Sequence, residues 1–297
     1  MLNGKRGNKA ADRTRSPWPK LPLSLLAILS GLLLTVVTAN VWPLLLLKFG
    51  MPLAAFVEAA FLGLFLWWTS GGGPPRSTKT TRVTAFRGRN LSSAQWFWGL
   101  VGAFFFAATI HASLVLLFRL VPFPIAAFRQ GYDLSFIPSQ SLRWLAIVFS
   151  ALSAGICEEI GFRGYTQRPI EQRHGAPVAI LISSLLFMAL HLSKAWAIPG
   201  MVPIVFGAGV LVGLLAWCSG SLIPGIIGHV VMDIGLFAYW WTGIAGNFTA
   251  RTIAVTGVDG PFLTASAVFV ISLGIVLLAT LRLRALLTLV PCESAAG

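Results

Sequence analysis

Three short runs in the second half of the chain set ionisable side chains among apolar ones. They are Cys157-Glu158-Glu159-Ile160-Gly161-Phe162-Arg163-Gly164, Phe187-Met188-Ala189-Leu190-His191 and His229-Val230-Val231-Met232-Asp233. An ionisable group in such surroundings is costly unless partnered, which makes it a functional candidate by default. Residues four apart share a helix face, so Glu159 can pair with Arg163 and His229 can hydrogen-bond Asp233. Glu158 is turned about 100° from Glu159 and looks elsewhere. Glu159 is then the structural partner, and Glu158 is free to work. Repulsion disfavours two adjacent carboxylate charges at once. That suits one of them to accept a proton from water near neutral pH.

These groups need elements to hold them. The chain has 297 residues, 56% hydrophobic and 10% charged, with a mean hydropathy of +0.81. Soluble domains carry about a quarter charged residues, so there is too little polar surface here to face water all round. Apolar stretches long enough to cross a bilayer fall at Leu21–Ala39, Leu44–Trp68, Trp96–Leu120, Leu142–Phe162, Ala176–Leu192, Pro199–Cys218, Leu222–Trp241 and Phe262–Leu281. The expectation is an all-α, polytopic transmembrane helical bundle of about eight spans, or fewer if Asn40–Pro52 bends the first two into one hairpin. Pro43, Pro52, Pro199, Pro203 and Pro224 sit near span ends, where a missing amide costs least. Gly207, Gly209 and Gly213 let a neighbour approach the sixth span closely.

Charge sets the expected orientation. Most of the net +13 flanks spans: Lys5, Arg6, Lys9, Arg13, Arg15 and Lys20 in the N-terminal tail, then Arg76, Lys79, Arg82, Arg87 and Arg89 after the second span. Arg163, Arg168 and Arg173 follow the fourth, and Arg282 and Arg284 end the last. The opposite side receives only Lys48, Arg119, Arg129, Arg143, Lys194 and Arg251. This asymmetry predicts cytoplasmic N- and C-termini. It points to anionic lipid headgroups as partners and away from nucleic acid, because the basic clusters lack interleaved aromatics. The domain plan is a basic, disordered cytoplasmic tail at 1–20, one transmembrane domain at 21–285 with its catalytic core about 142–241, and a short tail at 286–297. A basic segment, an apolar run and Val37-Thr38-Ala39 also fit a cleavable signal peptide, the lesser alternative.

Cys157, Cys218 and Cys292 are odd in number and far apart, so no disulfide framework is implied. Cys157 reads better as a small core residue than as a nucleophile. Glu58 and His111 fit no motif and are assigned structural roles. His174, in a basic loop, is expected to be solvated.

The run Glu-Glu-x-x-Phe-Arg-Gly, then Phe-x-x-x-His, then His-x-x-x-Asp, in that order over Leu142–Trp241, resembles the CPBP family. These are the CAAX-protease and bacteriocin-processing, or Abi, intramembrane endopeptidases. The resemblance implies a membrane bundle with an internal polar cavity that cleaves peptide bonds of membrane-associated protein or peptide substrates. It further implies that Glu158 activates the attacking water and that Glu159 with Arg163 holds the local geometry. His191 and His229 would orient that water or bind a metal, and Asp233 would stand at the oxyanion-stabilising position. The eukaryotic prenyl-protein proteases carry Asn there. An ionised Asp cannot donate to an oxyanion, so orientation of His229 is the favoured role for Asp233.

Glu158, His191 and His229 would give zinc three ligands and an open fourth position. The usual one-helix zinc-protease signature is absent, and a reading without a required metal is favoured. Depth poses a problem. Counted along straight spans, Glu158 and His191 lie on the order of 15–20 Å apart. The site closes if the fourth helix runs on past Arg163, bringing Glu158 within about 8 Å of both histidines, close enough to share a water. Two rival classes remain. One is a proton-coupled transporter, which would show inverted repeats and broken helices. The other is a non-catalytic scaffold or immunity protein of the same fold. The Ala-, Leu- and Arg-rich composition suggests a bacterial inner-membrane protein.

Overall fold

The computed structural model describes residues 20–130, 132–192, 198 and 200–288. Expectations for the tail at 1–19, for Lys194, Pro199 and Cys292, and for residues 289–297 lie outside the described residues.

The described chain is helical, with no strand among its elements. Helix α1 spans Lys20–Ala39, α2 Val41–Phe49, α3 Leu53–Thr69 and α4 Lys79–Phe86. Helix α5 spans Ser93–Leu120, α6 Ile125–Gln130 and α7 Gln140–Glu159; a π-helical stretch, Ile160–Gln167, joins α7 to α8, Arg168–His174. Then come α9 (Ala176–Leu190), α10 (Met201–Ser219) and α11 (Ile223–Gly235), which passes into a second π stretch, Leu236–Trp241. The short α12, Ile253–Thr256, and the long α13, Gly260–Thr288, complete the order.

Among the described residues six helical runs are long and apolar enough to cross a membrane, and α3 and α9 are shorter apolar helices. All eight expected apolar stretches are therefore helical, six of them of full spanning length. The stretch expected at Leu44–Trp68 divides because Gly50 adopts φ +68°, which glycine tolerates best, and Pro52, at the next helix start, has no amide to continue a ladder. The stretch expected to end at Phe162 continues instead to His174. Helices α1 and α13 lie outermost: only 28% and 22% of their apolar windows are buried. Their leucines and valines face outward, as lipid-exposed helices require.

Inside, α5 packs on α11 and α13. Phe106, Ile110, Leu215, Met232 and Val276 form the shared core. A capping box starts α5: Ser92 Oγ accepts the Gln95 amide at 3.3 Å while Gln95 Oε1 accepts the Ser92 amide at 3.0 Å. Close backbone approaches lock the π stretch after α7 against α1. A Cβ built on Gly161 would meet Thr35 Oγ1 of α1 at 1.9 Å, and one on Gly31 would meet Thr166 Oγ1 at 1.9 Å. Only paired glycines permit that contact. In α10 two of the three expected small-residue positions work this way, Gly209 against Ser184 and Gly213 against Gln167 and Ile180; Gly207 has open space.

Several cations expected in loops are structural. Arg163 is fully buried. Arg82 donates from Nη1 to the Trp68 and Gly72 carbonyls, both at 2.5 Å, and from Nη2 to the Gly73 carbonyl at 3.0 Å, so it organises the Gly/Pro-rich turn after α3. Arg87 donates to the Ala216 carbonyl and to Glu171. Arg119 donates to Asp259 Oδ2 at 2.7 Å.

Candidate active site

The depth problem dissolves at a hairpin. Gly175, with φ +87°, terminates α8 and starts α9, and its hydrogen takes the place of a Cβ that this conformation disfavours. Glu158 lies 17 residues before Gly175 and His191 lies 16 after it. Antiparallel helices of nearly equal length therefore return His191 to the level of Glu158. His191 Nε2 stands 3.9 Å from Glu158 Oε2. The helix continuing past Arg163 is the expected one, and its π form was not foreseen.

Glu159 is turned about 100° from Glu158 on α7 and is fully buried. Arg163 Nη1 donates to its Oε1 at 2.9 Å, the expected four-residue pair, and Arg163 Nη2 donates to the Gly209 carbonyl of α10 at 3.1 Å. The same Oε1 lies 2.8 Å from His229 Nδ1. This contact was not expected. The carboxylate nearest His229 was to be Asp233, but Asp233 Oδ2 is 3.6 Å from His229 Nε2, beyond hydrogen-bond reach. Glu159 orients the imidazole, because a pair 70 residues apart in sequence is brought together by α7 packing on α11. Asp233 stands at the other ring nitrogen.

Phe187 ties these groups together. Its ring centroid is 4.5 Å from that of His191 and 5.9 Å from that of His229, and the Arg163 guanidinium carbon lies 4.7 Å from it. A guanidinium over a ring face is held by the ring quadrupole. The aromatic of the Phe-x-x-x-His run thus has a positioning role that its spacing alone did not disclose. His191 Nδ1 is 2.8 Å from the Phe187 carbonyl, which fixes the ring and turns Nε2 toward Glu158.

Glu158, His191, His229 and Asp233 line one cavity of about 120 Å³, whose remaining wall is largely apolar, including Met201, Leu236 and Trp241. A water takes about 30 Å³ of liquid volume, so the cavity has room for a few waters. Glu158 Oε2 is buried and has no protein hydrogen-bond partner among the described residues. A carboxylate oxygen in that position needs water or a ligand hydroxyl. The second π stretch borders this cavity through Leu236, Phe237 and Trp241, and the first begins two residues after Glu158. Such stretches recur at functional sites.

The remaining residues sort out. His111 Nδ1 accepts from Trp240 Nε1 at 3.2 Å and its Nε2 is 3.2 Å from the Met232 carbonyl, a structural contact. Cys157 and Cys218 are buried free thiols. His174 Nε2 meets Ser24 Oγ at 2.9 Å, so it is bonded to α1 rather than simply solvated. Among the described residues no three His, Cys, Asp or Glu side chains group as a metal-ligand set. In the expected trio Glu158, His191 and His229, Nδ1 of each histidine faces a protein oxygen and Nε2 of each faces a carboxylate.

A family model described as type II CAAX prenyl endopeptidase Rce1-like matches residues 139–235, about a third of the chain. The match starts just before α7 and ends with α11, and it contains all three motif runs. The assignment to the CPBP/CAAX protease family, made from those runs, is supported by this match. No curated protein and no solved structure matches the chain.

Proposed function

We propose that this chain is an intramembrane endopeptidase that hydrolyses peptide bonds of membrane-associated protein or peptide substrates with a water activated by Glu158. The observation that carries the reading is the unpartnered Glu158 Oε2 facing His191 Nε2 across 3.9 Å in a cavity sized for water. A water bound to both atoms is held and polarised together. Glu158 takes one proton as the water oxygen bonds to the substrate carbonyl carbon. The carbonyl oxygen gains the negative charge, which the Nε2–H of His229 can stabilise in the imidazolium form, its Nδ1–H being donated to Glu159. The proton on Glu158 then passes to the amide nitrogen as the carbon–nitrogen bond breaks, releasing an amine and a carboxylic acid, which ionises and gives its proton to the amine or to solvent. Asp233 supports His229 from the side of Nε2. No metal is required in this scheme.

The chain is an integral membrane protein; in the proposed setting it lies in a bacterial inner membrane, both termini cytoplasmic, with anionic lipid around its basic face. The test is Glu158→Gln, which keeps size and hydrogen bonding but removes the base. Processing of membrane peptides, compared by mass spectrometry of cells carrying either form, should lose its products in the variant, while insertion and melting stay as in the parent chain. Unchanged products would leave the non-catalytic scaffold of the same fold as the reading.

A further inference from the structure

A second cavity lies at the end of the bundle where α8 stops, between α1, α4 and α8, with a volume of about 330 Å³. Its α1 wall is apolar, and Leu26 continues it onto the outer surface, being 61% exposed. Its α4 wall carries the hydroxyls of Thr81 and Thr84, and α8 with the preceding π stretch supplies Tyr165, Arg168 and Arg173.

Charge here is one-sided. Lys79, Arg82, Arg87, Arg168 and Arg173 sit on α4, its end and α8, against one carboxylate, Glu171. Glu171 is already shared by Arg87 and Arg168. Arg168 Nε and the Tyr165 hydroxyl are buried and have no protein hydrogen-bond partner among the described residues. Buried donors of this kind call for a ligand or ordered water. Both α1 and α8 have ends here, Lys20 and His174, so the groove sits where a span meets the headgroup layer. Donors and positive charge at one level, with an apolar wall leading inward, match an amphiphile with an anionic head.

We propose that this groove binds an anionic phospholipid, its phosphate between Arg168, Arg173 and the α4 threonines and an acyl chain along Leu26. The site is separate from the catalytic cavity, although its floor is the same continuous helix that carries Glu158. It goes beyond the peptidase reading and does not depend on it.

The test is native mass spectrometry of the full chain in detergent, titrated with dioleoyl phosphatidylglycerol or dioleoyl phosphatidylcholine. The parent chain should prefer the glycerol lipid by about tenfold, and each arginine neutralised should weaken it about fivefold. Arg168→Gln with Arg173→Gln should therefore abolish the preference; Glu171 keeps Arg87 as its partner. Should the double variant not fold, Thr81→Val, at an exposed position, should weaken the glycerol lipid about threefold while leaving the choline lipid unchanged. Equal affinity for both lipids in the parent chain, or an unchanged preference in the variants, would overturn the proposal. Displacement by millimolar sodium phosphate would overturn it too, by making the ligand a free anion; failure of phosphate to compete supports a lipid.

Discussion

Glu159 Oε1 lies 2.8 Å from His229 Nδ1 and joins two helices whose contacting residues stand 70 apart in sequence. The same oxygen accepts from Arg163. One buried carboxylate therefore neutralises a buried guanidinium and fixes the imidazole that faces the cavity. Stability and site geometry meet in one side chain.

Removing that carboxylate strands a charge. Glu159→Leu leaves Arg163 buried with its paired oxygen gone, and breaking one half of a buried pair costs about 3–5 kcal/mol. The double variant Glu159→Leu with Arg163→Met replaces both charges by apolar bulk and should recover most of that loss. Thermal melting in detergent reads both. A single variant as stable as the parent would show that Arg163 has found another counter-charge.

Glu159 and Asp233 can be told apart as supports of His229. Asp233→Asn should retain cleavage within about tenfold, since the Nδ1 contact stays in place. Glu159→Gln keeps an acceptor oxygen for the ring but loses its charge, and should cost about 10²-fold or more in kcat, the scale of one misplaced acid–base group. Kinetics on one membrane peptide substrate would compare them. The reverse order would return the orienting role to Asp233.

Chelation separates the peptidase chemistries. In the proposed scheme Glu158 activates the water without a metal, so dialysis against EDTA should leave turnover unchanged and added zinc should not raise it. Loss of activity on chelation, regained with zinc, would mean that the side chains rearrange around an ion during the reaction.

How far the sequence disclosed this site follows from the range of each interaction. The Glu159–Arg163 pair was legible because a four-residue spacing on a helix is local. The level of Glu158 against His191 was also written in the chain, as two nearly equal arms about Gly175. Reading the fourth span as ending at Phe162 hid it, because Arg163 looked like a loop cation. Burying Arg163 costs little only because Glu159 and the Gly209 carbonyl receive it, and Gly209 lies 46 residues away. The Glu159–His229 contact is longer in range still, and no periodicity announces it. Arg82 misled in the same way, since its partners are backbone carbonyls of a Gly/Pro-rich turn and a carbonyl has no sequence signature.

Acid sensitivity should appear away from the site, at Asp259. Arg119 Nη2 donates to Asp259 Oδ2 at 2.7 Å and the Phe262 amide donates to Oδ1 at 3.0 Å. Both bonds favour the ionised carboxyl and hold it below its ordinary value, the Arg119 bond foremost. A group depressed on folding stabilises the fold above its unfolded value, about 3.9 for aspartate, and that stability is lost as pH falls through the lower folded value. The contribution is thus complete at pH 6 and fades below about pH 4. Asp259→Asn, which cannot ionise, should melt below the parent chain at pH 6, and the two should converge as the buffer is taken toward pH 3. Melting curves across that window test the sign: a gap that widens on acidification would mean that Arg119 is not what holds the start of α13 to the end of α5.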